Sequence, residues 1–146
     1  MNSNMFDWRK YANKYHLSNA RYDQIRRFCL GYPKLESQYK QLQLLVAPSL
    51  IGSVQMHRNL YFSIVEKTAI DAAQLKEALE ILPTAANNVD PGIANYILLW
   101  ATRDVSFDKL RRIYGLQCTE EYFIRCWRMF ICEVDRLLNS KGVVLR

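Results

Sequence analysis

At 146 residues, half of them apolar and 23% charged, the chain has the length and balance of one folded domain, which excludes a disordered tail. The net charge of +6 sits at the ends: residues 1–45 hold eight Lys/Arg against three Asp/Glu, residues 46–100 three against five, and residues 101–146 nine against six. The N-terminus carries Asp7, Arg9 and Lys10 and has no secretory apolar run, and the longest apolar runs (44–47 and 96–101) fall far short of the roughly 20 residues that span a bilayer. A soluble, cytoplasmic chain with no membrane partner is therefore expected.

The periodicity is helical throughout, so the expected class is all-α: one domain over 1–146, with a helical N-terminal part (1–85) and a helix-turn-helix-containing part (90–140). Short helices are predicted over 6–15 and 22–30. The second has Tyr22, Ile25, Phe28 and Cys29 on one stripe, and Arg21, Arg26 and Arg27 opposite. Gly31-Tyr32-Pro33 then reads as a break, and Leu35, Tyr39, Leu42 and Val46 mark a third helix. A long central helix over about 58–82 carries Ile64, Thr68, Asp71, Leu75 and Leu79, and Pro83 is expected to stop it. Asp90 then caps a helix with Pro91 at its first position, running through Tyr96, Ile97, Leu99 and Trp100.

The C-terminal third carries a functional expectation. Ser106 can cap a short helix with Phe107, Leu110 and Ile113 on its core side; Gly115 supplies the positive backbone angle that ends it, and Leu116 plugs the corner. Thr119 can cap the last helix, where Phe123, Trp127, Phe130, Val134 and Leu137, joined by Ile124, Ile131 and Leu138, form a wide core stripe. Its other face offers Glu121, Tyr122, Arg125 and Arg128. In a helix-turn-helix the second helix enters the major groove, so Arg125 and Arg128, three residues apart, can reach phosphate or guanine, with Arg111 and Arg112 alongside. Glu120 and Glu121 repel phosphate at the same helix start. Two amphipathic helices joined at a glycine also occur in all-α proteins that bind nothing.

The run 95–138, with Leu98-Leu99-Trp100, Ser-Phe-Asp-Lys-Leu (106–110) and the Tyr114-Gly115-Leu116 corner, resembles region four of bacterial sigma factors. Upstream, Arg27-Phe28-Cys29-Leu30-Gly31-Tyr32-Pro33, Val65-Glu66-Lys67-Thr68-Ala69 and Leu75-Lys76-Glu77-Ala78-Leu79 resemble the phage and prophage transcriptional regulators of the RinA and ArpU type. The resemblance covers most of the chain. It implies a small helical part before a sigma-region-four-like helix-turn-helix and a role in regulating late phage genes. Between Gly115 and Tyr122-Phe123 this chain is one or two residues longer than that family.

Other chemistry finds little footing. Cys29, Cys118, Cys126 and Cys132 match no zinc or redox spacing, and His16 and His57 are far apart, so neither metal nor cofactor is expected. With no phosphate-cradling glycine loop, no Gly-x-Ser-x-Gly elbow and no oriented general base, the chain reads as a non-enzyme. Two functions remain. One is a transcription regulator that binds double-stranded DNA through Arg111, Arg112, Tyr122, Arg125 and Arg128, with Arg21, Arg26 and Arg27 as a possible backbone-holding patch among Tyr22, Tyr32 and Tyr39. The other is a non-catalytic helical module that binds a protein such as RNA polymerase. A homodimer is compatible with both.

Overall fold

The computed structural model describes residues 17–45 and 75–145, and every regular element among them is an α-helix. They are α1 (Asn19–Leu45), α2 (Leu75–Val89), α3 (Ala94–Arg103), α4 (Phe107–Arg112) and α5 (Glu120–Ser140). The helix expected over 6–15, the first part of the one expected over 58–82, and both histidines lie outside the described residues. No described helix is long and apolar enough to cross a membrane.

Two expected breaks are not breaks. The helices predicted over 22–30 and 35–46 are one helix, α1, with Pro33 inside it. Ser18 starts it, its hydroxyl accepting from the Arg21 N–H at 3.1 Å. A helical proline removes one backbone donor and crowds the preceding turn. Here Tyr22, Ile25, Cys29, Tyr32 and Leu35 are all buried, so the apolar stripe runs straight through the proline, and its burial offsets that cost.

Pro83 likewise lies within α2, which continues to Val89 and buries Ala85 and Ala86 beyond it. Pro83 has no N–H to give the Leu79 carbonyl four residues back. The Tyr32 hydroxyl donates to that carbonyl at 3.0 Å, so a side chain of α1 supplies the bond that the proline of α2 withholds. Tyr32→Phe leaves the buried carbonyl without this donor, and a loss of about 1–2 kcal/mol is expected in equilibrium denaturation.

Asp90-Pro91-Gly92 is a turn rather than the first turn of a helix. Asp90 Oδ1 accepts from the Gly92 N–H at 2.8 Å, and α3 begins only at Ala94, with no side-chain cap at Ile93. The reason is local, since Asp bonded to the backbone two residues on closes a turn of its own. At the far end of α3, Asp104 takes a left-handed conformation (φ 53°).

The described residues share one core. The α5 helix packs along α2 and reaches α1, while α3 packs on α1 and α2 and touches α5. Trp100 of α3 meets Phe123 at 5.0 Å and Trp127 at 6.1 Å, and Trp127 stacks on Phe130 at 5.5 Å. After α5, Gly142 (φ 67°) turns the chain; the Val143 N–H returns to the Leu138 carbonyl at 2.9 Å, and Val143 and Leu145 are buried.

Burial pushes the Cys29 thiol up to about 12, and the Tyr22 and Tyr32 phenols to about 12 as well. The folded chain therefore keeps protons that the unfolded chain releases from about pH 9 for a thiol and 10 for a phenol. Raised pKa values of this kind give stability that is complete below pH 9 and is lost as pH climbs toward 12. The midpoint of thermal unfolding is expected to fall above pH 9, and less steeply in Cys29→Ala, where the Cys118, Cys126 and Cys132 thiols, also raised by burial, still contribute from pH 9.

Candidate nucleic-acid interface

The helix-turn-helix segment is built from the local signals in its sequence. Ser106 caps α4, accepting from the Lys109 N–H, and Thr119 caps α5, accepting from the Tyr122 N–H at 3.1 Å. Gly115 has φ 80°, and the Leu116 N–H donates back to the Leu110 carbonyl at 2.9 Å, which carries the buried Leu116 side chain into the core. Nothing lies within 4 Å of a β-carbon built on Gly115, so Gly115→Ala tests backbone strain alone. The expected loss is about 1 kcal/mol, read by urea unfolding.

The segment departs from the expectation in three respects. The α4 helix has only six residues, and seven residues separate it from α5, whereas a helix-turn-helix commonly uses a turn of about 3–4. Ile113, expected in the core, is 69% exposed, because the helix ends at Arg112 and the chain leaves the helical period that placed it inward. Ile124 is only half-buried, whereas Cys126, outside the expected stripe, is buried. The turn is nevertheless held: the Tyr96 hydroxyl of α3 donates to the Tyr114 carbonyl at 3.1 Å.

The arginines and tyrosines singled out from sequence fall into distinct groups. Arg111, Arg112 and Arg125 are exposed. The Arg111 guanidinium lies 6.0 Å from the Phe107 ring centre, and Arg112 pairs with Asp108 at 3.3 Å on an open surface, where such a pair is worth little. Arg128 is half-buried. Tyr122 is exposed, but its hydroxyl donates to Asp90 Oδ2 at 2.6 Å, which ties the start of α5 to the turn before α3. That bond holds the Asp90 carboxyl below its usual range and raises the Tyr122 phenol.

The N-terminal patch is largely spent inside the fold. Arg21 pairs with Asp135 of α5 at 2.6 Å and reaches Asn139 at 3.4 Å. Arg26 donates to the Ala101 carbonyl at 2.8 Å, approaches Asp104 at 3.3 Å and lies 5.3 Å from the Trp127 ring centre. Of the three, Arg27 alone is exposed; Tyr22 and Tyr32 close the core, and Tyr39 packs at its edge. Lys109, exposed on α4, joins Arg111 and Arg112 and was missed, although its place between Asp108 and Leu110 puts it on the outer face of a capped helix.

The exposed side of α4, the turn and the first turns of α5 thus carry Lys109, Arg111, Arg112 and Arg125, with Ile113, Tyr114 and Met129 as exposed apolar groups, against Asp108, Glu120 and Glu121. Among the described residues no group of three His, Cys, Asp or Glu is placed to hold a metal ion. No protein-family model, curated protein or solved structure matches this chain.

Proposed function

We propose that the chain is a non-catalytic DNA-binding transcriptional regulator, of phage or prophage kind, that meets duplex DNA with α4 and the N-terminal half of α5. One observation carries this reading: Arg111, Arg112 and Arg125 stand exposed across two side-chain-capped helices, while Arg21 and Arg26 are engaged within the fold. Cations so placed neutralise phosphates and release condensed counterions, and the start of α5 carries the residues that face base edges. The likeness of 95–138 to sigma region four supports the same assignment of roles. The longer turn and the acidic pair Glu120-Glu121 restrict the approach to the side where Arg125 lies. The test is retention of the purified full chain on random duplex DNA at low salt and its release as salt rises.

A second reading, a helical module that docks on another protein such as RNA polymerase, is favoured by the exposure of Ile113 (69%), Tyr114 (46%) and Met129 (49%) beside the same arginines. Capture that withstands high salt distinguishes it, since an apolar interface tolerates salt that strips phosphate contacts. A homodimer and a cytoplasmic setting fit either reading.

A further inference from the structure

We propose that the groove between α1, α2 and α3 is a binding site for a small amphipathic anion, an apolar body ending in a carboxylate that Arg103 holds at the rim. The groove has a volume of about 390 Å³, within the range of small-molecule sites. Its walls include Pro33 of α1 and Pro83 of α2, and its floor includes Leu98 and Leu99 of α3. Both leucines are only half-buried, although the opposite side of the same helix, Ile97, Trp100 and Ala101, is fully committed to the core. The two prolines that failed to break their helices thus present rigid rings to one space.

Charge selects the class of occupant. Glu36, on the α1 side, is paired with Lys40 at 4.0 Å, the Tyr32 proton being given to the Leu79 carbonyl. Thr102 gives its hydroxyl proton to the Leu98 carbonyl at 2.7 Å and offers the groove only lone pairs. Arg103 is exposed and, among the described residues, has no carboxylate within ion-pair distance. Asp104 beside it is turned to Arg26. A guanidinium at the end of an apolar trough matches a carboxylate on an apolar tail, with Asn95 as a further polar partner on the rim. This site is independent of the DNA reading, and its test does not involve DNA.

The experiment titrates the full ¹⁵N-labelled chain with octanoate, and in parallel with octylamine, which has the same tail and the opposite charge. Saturable shifts of the Leu98, Leu99 and Arg103 amides with octanoate are expected, with octylamine much weaker. Arg103→Gln, a change at an exposed position that leaves the core intact, is expected to weaken octanoate binding about tenfold. Absence of saturable shifts, shifts centred outside α1 to α3, equal binding of the amine, or an unchanged Arg103→Gln variant would each overturn the proposal.

Discussion

Trp127→Ala is expected to cost about 3–5 kcal/mol, a large share of the about 5–15 kcal/mol that domains of this size hold in total. Trp127 is fully buried, and its indole is where α1, α3 and α5 meet: Arg26 of α1 lies over it, Trp100 of α3 packs against it, and Phe130 stacks on it one turn along. The cavity left by the ring is bounded by three helices that cannot all move in, so the transfer loss and the cavity loss add. Ile113→Ala, by contrast, is expected to change stability by no more than about 0.5 kcal/mol, as suits an exposed side chain. Circular dichroism through a denaturant series reads both. Equal losses for the two variants would mean that the corner packs differently from the arrangement described.

The second large effect concerns binding. Replacing Arg111, Arg112 and Arg125 together by alanine is expected to lower duplex affinity by roughly 10²-fold or more at moderate salt and to reduce the salt slope by about 2–3, near one per phosphate contact removed. These side chains are exposed, so folding stability should change little. Arg21→Ala is the informative contrast. Its partners are Asp135 and Asn139 on α5, so the loss is expected in stability while the salt slope of the folded fraction stays as it was. A variant set in which Arg21 moved the slope and the three exposed arginines did not would place the DNA on the opposite side of the molecule.

What the sequence made legible is the physics that acts within a few residues. Ser106 and Thr119 bond the third N–H of their own helices, Gly115 takes the angle that its missing β-carbon allows, and the Phe123-Trp127-Phe130-Val134 stripe follows helical period into the core. What stayed hidden depends on partners far along the chain. Pro83 looked like a stop because the donor that compensates it, Tyr32, lies 47 residues upstream of the Leu79 carbonyl it bonds. Arg21 and Arg26 looked like a solvated face because their acceptors stand 114 and 75 residues away. The groove beneath Arg103 has no sequence signature, since its walls come from three separate helices.

Fluorescence anisotropy of labelled random duplex DNA with the purified full chain, from low to high salt, tests the central claim most directly. Binding at low salt whose logarithm falls linearly with the logarithm of salt concentration, more shallowly in the Arg111, Arg112 and Arg125 variant, is the predicted result. A folded chain that leaves the anisotropy unchanged at the lowest salt would contradict it.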